Sequence, residues 1–169
     1  VVHKIRVFGD PVLREKAASV GDAADGVRAL AQDLLDTLAA ADGVGLAAPQ
    51  IGVSRRVIAV HPPAETGPGE RPPPAVYLDP EIVERDGGHE TAEEGCLSIP
   101  GVYEDVRRAR RVRIRALDVD GRPLELSVEG IVARIFQHEI DHLDGVLFVD
   151  RVGPMRRALL KKRLRALAE

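Results

Sequence analysis

The chain has no tryptophan, a single cysteine and only 3% aromatic residues among its 169 positions. One cysteine excludes an intrachain disulfide. With so few aromatics, the core has to be built from Val, Leu, Ile and Ala, at an ordinary apolar content of 44%. No run reaches the roughly 18 consecutive apolar residues that a membrane-crossing helix needs. Residues 1–6 carry no apolar signal region. A net charge of −3 argues against a surface given over wholly to nucleic acid. There is no internal repeat. The expectation is one domain spanning residues 1–169, large enough for a sizeable core, cytoplasmic and without a membrane partner.

The apolar pattern places the elements. Residues 1–14, ending in GDPVLR, read as a short strand and a turn. Val27, Leu30, Leu34, Leu38 and Ala41 share one helical face, with Asp22 or Asp25 as cap and Asp42-Gly43 as the stop. Arg56 to Val60 reads as a buried strand. Residues 61–74 hold six prolines and read as an extended surface loop with no assigned role. Val76–Leu78 and Ile82–Glu84 look like strand pieces. Residues 111–118 alternate Val112, Ile114 and Ala116 against arginines, as a half-buried strand does. Asp120-Gly121 signals a hairpin into Leu124.

The most chemically loaded segment follows. Gln137-His138-Glu139-Ile140-Asp141-His142 contains H-E-x-x-H. Four residues apart on a helix, both imidazoles lie on one face and can reach one metal ion. Glu139 then stands where a base can take a proton from water. The flanking Ile131, Ile135, Ile140 and Leu143 keep helical spacing, and Asp144-Gly145 ends the helix. The bland alternative is a solvated charged helix.

A catalytic site of this type takes a third protein ligand and keeps one open position. Cys96, bracketed by Gly95 and Pro100, is the best candidate in the sequence. A lone cysteine can equally be a small buried hydrophobe or a nucleophile. Glu94 is placed to orient a ligand from behind. Gly43 to Gly52 supplies glycines that let backbone approach a ligand, and an amide donor in Gln50.

Three segments together, GVGLAAPQIG (43–52), EGCLSIP (94–100) and QHEIDHLDG (137–145), resemble the signature motifs of the peptide deformylases, in the family's order and at family-like separations. The resemblance covers nearly the whole chain. It implies an α+β fold, with antiparallel β-sheets packed around a central helix carrying H-E-x-x-H and a C-terminal helix. It also implies hydrolysis of the N-formyl group from the formylmethionine that begins new proteins. Cys96, His138 and His142 match the metal ligands, and Glu139 the general base and acid. Gln50 and the backbone N–H of Leu97 match the oxyanion donors, and Gly45 a backbone contact to substrate. Val44, Ile131, Arg134 and Ile135 match the wall around the methionine side chain. The implied cofactor is one divalent ion, Fe2+ in the family, with Zn2+, Ni2+ or Co2+ able to take its place. N-formylmethionyl nascent peptides are the implied partners.

After Met155 the chain carries Arg156, Arg157, Lys161, Lys162, Arg163 and Arg165 around Leu159, Leu160, Leu164 and Leu167. This reads as a leucine-packed helix with a solvated basic face, or as a ribosome contact of the kind some deformylases make. The arginines of 107–115 read as a solvated strand edge. Two other classes remain open at this level. One is a metalloprotease with a different third ligand. The other is a binding protein with a structural metal, which has no need of Glu139 or Gln50.

Overall fold

Residues Val27–Ala41 form α1, whose buried Val27, Leu30, Ala31, Leu34 and Leu38 make one continuous face. It stops at Asp42, which takes the left-handed conformation (φ 50°) that aspartate tolerates better than most residues. The computed structural model describes residues 1–21, 26–64 and 69–169. The expected caps Asp22 and Asp25, and residues 65–68 of the proline-rich loop, lie outside those described.

Among the described residues, five strands follow in chain order: β1 (Gly45–Ala47), β2 (Val57–Val60), β3 (Ala75–Cys96), β4 (Ile99–Leu117) and β5 (Pro123–Glu129). Their spatial order is the same as their sequence order, and each neighbouring pair is antiparallel. Two helices close the chain, α2 (Gly130–Leu143) and α3 (Pro154–Ala168). No helix among the described residues is long and apolar enough to cross a membrane.

The four residues of β2 are all buried because they are covered on both faces. Val57 and Ala59 pack with α1, while Ile58 and Val60 pack with Phe136, Ile140 and Leu143 of α2. A third cluster joins Leu160 and Leu164 of α3 to Ile99, Val102 and Val106 at the start of β4. In α2, Gln137 acts as a bolt: its amide exchanges hydrogen bonds with both backbone groups of Ala109, at 3.0 and 2.9 Å. That fixes the depth at which the next residue, His138, enters the interior.

Several expectations change here. The two strand pieces near 76–84 are parts of one strand of 22 residues, interrupted by register shifts and the left-handed Gly87 and Gly88. Its second half is almost wholly polar, so no apolar alternation marks it in the sequence. The first residues form no strand. They are a strap, with Arg6 N–H donating to Gln50 O at 2.7 Å and Phe8 N–H to Ser98 O at 2.8 Å. Of the arginines of 107–115, Arg111, Arg113 and Arg115 lie where β4 is paired on both sides, by β3 and β5, while residues 107–110 pair with β3 alone; all but Arg108 are exposed. Arg108 is buried, with 4% exposure.

Candidate metal centre

Three segments distant in sequence converge below the middle of α2. His138 and His142 lie on one face of the helix, with ring centroids 5.1 Å apart. His138 also stacks on Phe148. Cys96 ends β3, where a two-residue turn, Leu97-Ser98, leads into β4. One ligand atom each from Cys96, His138 and His142 lies within 4.8 Å of the others. The sulfur is 3.4 Å from His142 Nε2. Two ligands of a tetrahedral ion at ordinary Zn–S and Zn–N lengths stand about 3.5 Å apart, so this pair already has the spacing a metal requires.

Gln50 is oriented rather than loose. Its Oε1 accepts from Ala47 N–H at 2.9 Å, which turns Nε2 toward Ser98 Oγ (3.0 Å) and the Cys96 sulfur (3.6 Å). Gly45 lies against Glu139. A Cβ on Gly45 would stand 2.5 Å from Glu139 Oε2, so a glycine is needed here for closeness.

The charges are arranged around His138. Its Nδ1 donates to Glu94 Oε1 at 2.9 Å. This leaves Nε2 with its lone pair free to face a metal. Burial alone would raise the Glu94 pKa, but hydrogen bonds from Arg108 and His138 bring it down to about 2. Burial raises the Glu139 carboxyl to about 7. Burial would lower His138, but Glu139, Cys96 and Glu94 raise it well above the usual histidine range. His142, also buried and beside His138, is pushed well below that range. Among the described residues, Glu139 Oε1 and His142 Nδ1 are buried side-chain atoms without a hydrogen-bond partner. Two imidazoles, one soft sulfur and surrounding acids that favour positive charge suit a first-row divalent cation.

A cleft of about 500 Å3 opens onto this cluster. All five residues expected to meet substrate line it: Val44, Gly45, Ile131, Arg134 and Ile135. Leu97, Gln50, Cys96, His138 and Glu139 line it as well. Val44, Ile131 and Tyr103 expose apolar surface at its rim. Arg134 departs from a simple apolar wall. Its guanidinium turns away to Glu94 (2.6 Å), Val106 O (2.8 Å) and Glu90 O (2.7 Å), and its stem is the part available to the cleft.

The family model for polypeptide deformylase matches residues 2–158. A peptide deformylase of Alkalilimnicola ehrlichii is 51% identical over 163 residues, covering 96% of this chain and 89% of that protein. The chain belongs to the polypeptide deformylase family. Its activity is peptide deformylation, and Cys96, His138 and His142 form its metal site. The α+β fold is also the family's. A solved deformylase from Thermus thermophilus aligns with a TM-score of 0.88 at 45% identity, over 99% of this chain and 96% of that one. A deformylase from Acinetobacter baumannii with Met-Ala-Ser bound aligns with a TM-score of 0.83 at 37% identity, over 90% of this chain and 99% of that one.

Sequence reasoning missed two residues of the site. Ser98, fully buried, receives the Gln50 amide. Arg108 grips Glu94. A signal for Arg108 existed: it stands in period-two phase with Val102 and Val106, on the inward face of β4.

Proposed function

We propose that this chain removes the formyl group from the N-terminal formylmethionine of newly made proteins, releasing formate, with Fe2+ as the resident metal. The observation that carries this reading is the partnerless carboxylate oxygen of Glu139, buried in the same cleft as the Cys96–His138–His142 triad. A structural metal site has no use for such a group, and a catalytic one does.

When bound, the metal supplies Lewis acidity, lowering the pKa of water toward about 7 and polarising the formyl oxygen. Glu139 takes the proton of the attacking water and passes it to the leaving amine nitrogen. Burial makes the Glu139 carboxylate a stronger base than an exposed one, which suits proton abstraction. The Gln50 Nε2–H and the Leu97 backbone N–H donate to the oxyanion as it forms. Gln50 is pre-oriented for this by Ala47 N–H, so little reorganisation is needed during the reaction. Gly45 offers backbone to the substrate at the edge strand β1. Val44, Ile131, Ile135 and the stem of Arg134 surround the methionine side chain. The Met-Ala-Ser bound by the Acinetobacter relative supports a peptide headed by methionine as the occupant.

Residues 1–169 act as one cytoplasmic domain in this reading. Helix α3 contributes the ribosome contact, through Lys161, Lys162 and Arg165, which are exposed. Arg156, Arg157 and Arg163 are committed to Glu104, Asp150 and Gly101 O.

The test is formate release from a formyl-Met peptide under anaerobic conditions, with Fe2+, Ni2+ and Zn2+ compared. Glu139→Ala is expected to keep its metal and lose most turnover. Near-normal kcat in that variant would remove Glu139 from the role of base.

A further inference from the structure

The carboxylate behind His138 is held by more than the imidazole. Glu94 Oε1 receives His138 Nδ1 and Arg108 Nη2, each at 2.9 Å. Glu94 Oε2 receives Arg108 Nε at 2.9 Å and Arg134 Nη1 at 2.6 Å. Both oxygens are thus doubly occupied, and the planar fork of Arg108 fixes the plane of the carboxylate. The remaining terminal nitrogen of Arg108, Nη1, donates to Asp141 Oδ2 at 2.6 Å. Asp141 sits one turn along α2 from His138 and is gripped in turn by both arms of Arg151, at 2.6 and 2.8 Å. The Arg151 side chain reaches the surface, with 45% exposure.

We propose that Arg108 is a positioning residue of the metal centre, the link in an ion chain Arg151–Asp141–Arg108–Glu94 that sets the tautomer and ring angle of His138. This rests on the deformylase reading only in that His138 is taken as a ligand. Every member alternates in sign with its neighbour, and each contact is charge-assisted. The chain runs from a surface hollow lined by Asp141 and Arg151 to Glu94 at the wall of the substrate cleft. A rotation of the Glu94 carboxylate would swing the imidazole it holds, and Arg108 opposes that rotation at two points. Lysine keeps the cation but has no fork, so it can meet Glu94 or Asp141 at one point and cannot define a plane.

Arg108→Lys and Arg151→Ala are therefore compared with wild type as Co2+-loaded proteins. The readouts are the visible absorption of the bound ion, the rate of metal loss to a chelator, and kcat separately from KM. In Arg108→Lys the absorption should shift and metal loss should rise roughly ten- to hundredfold, the usual consequence of losing a partner behind a ligand. kcat should fall with KM nearly unchanged, since the cleft wall is intact. Arg151→Ala should shift both metal readouts in the same direction by a smaller factor. A folded Arg108→Lys protein with wild-type absorption and metal retention would overturn the proposal. Should Arg108→Lys not fold, Arg151→Ala decides, because that residue is at the surface. A wild-type spectrum and wild-type retention there would equally overturn it.

Discussion

Replacing Gly45 with alanine tests the contact between β1 and the catalytic carboxylate. The added Cβ would stand 2.5 Å from Glu139 Oε2 and 2.9 Å from both Cγ and Cδ. Carbon and oxygen in ordinary contact need about 3.3 Å, so something must yield by about 1 Å. Strand β1 is held by β2 through the Gly45–Val60 register and is backed by buried Leu46 and Ala47. Glu139 is the softer partner. Turning it roughly 30° off its rotamer costs on the order of 1 kcal/mol. Alanine in an extended strand recovers about 0.5 kcal/mol through the unfolded chain, so the net stability change is small. The chemical effect is not small. A displacement of about 1 Å at a proton-transferring group costs roughly a hundredfold in rate. The expected protein folds, melts within a few degrees of wild type, carries full metal and has kcat reduced about a hundredfold. Formate release, elemental analysis and thermal melting measure these quantities. Near-wild-type kcat in a metal-replete Gly45→Ala protein would refute the idea that glycine is required for the approach to Glu139.

Cys96→Ser should lower metal content as isolated, by elemental analysis, because a hydroxyl replaces a soft thiolate; full occupancy would take Cys96 out of the ligand set. Asp150 is pushed up by burial but held below the ordinary aspartate range by Arg14, the Leu147 N–H and Arg157. Its stabilising contribution is therefore full above that range and lost as the pH falls through its lowered pKa. Asp150→Asn should cost on the order of 1 kcal/mol at neutral pH by urea unfolding, and that difference should vanish in acid; a difference that grows in acid would contradict the sign. Joint replacement of Lys161, Lys162 and Arg165 by alanine should leave deformylation of a free peptide intact and weaken co-sedimentation with ribosomes at low salt. Unchanged sedimentation would end the ribosome reading.

The helix α1 and the last hairpin were legible because their apolar residues keep a clear period, and the strand β2 because it is a short unbroken apolar run. The polar half of β3 was not, because its partners are charged ladders such as Asp86–Arg111 and bulges at the glycines, which leave no apolar trace. The metal cluster was legible from three motifs, and the structure brings Cys96, His138 and His142 together. Arg134 matched a wall position, but its guanidinium is drawn off by Glu94, an interaction between residues 40 apart that no local pattern encodes. Arg108 was hidden among neighbouring arginines. Its inward phase with Val106 was readable, but nothing in the sequence named the buried acid waiting for it.

The agreement between the spatial order of the strands and their order in the chain has a consequence for synthesis. Each strand finds its partner in the segment made just before it, so the ladder from β1 to β5 can grow without waiting for distant chain. The turn that holds Cys96 is closed by the neighbouring strands β3 and β4, and their pairing needs neither His138 nor His142. The helix that carries the two imidazoles follows all five strands in the chain, so residue 142 is the last member of the metal-binding set to be made.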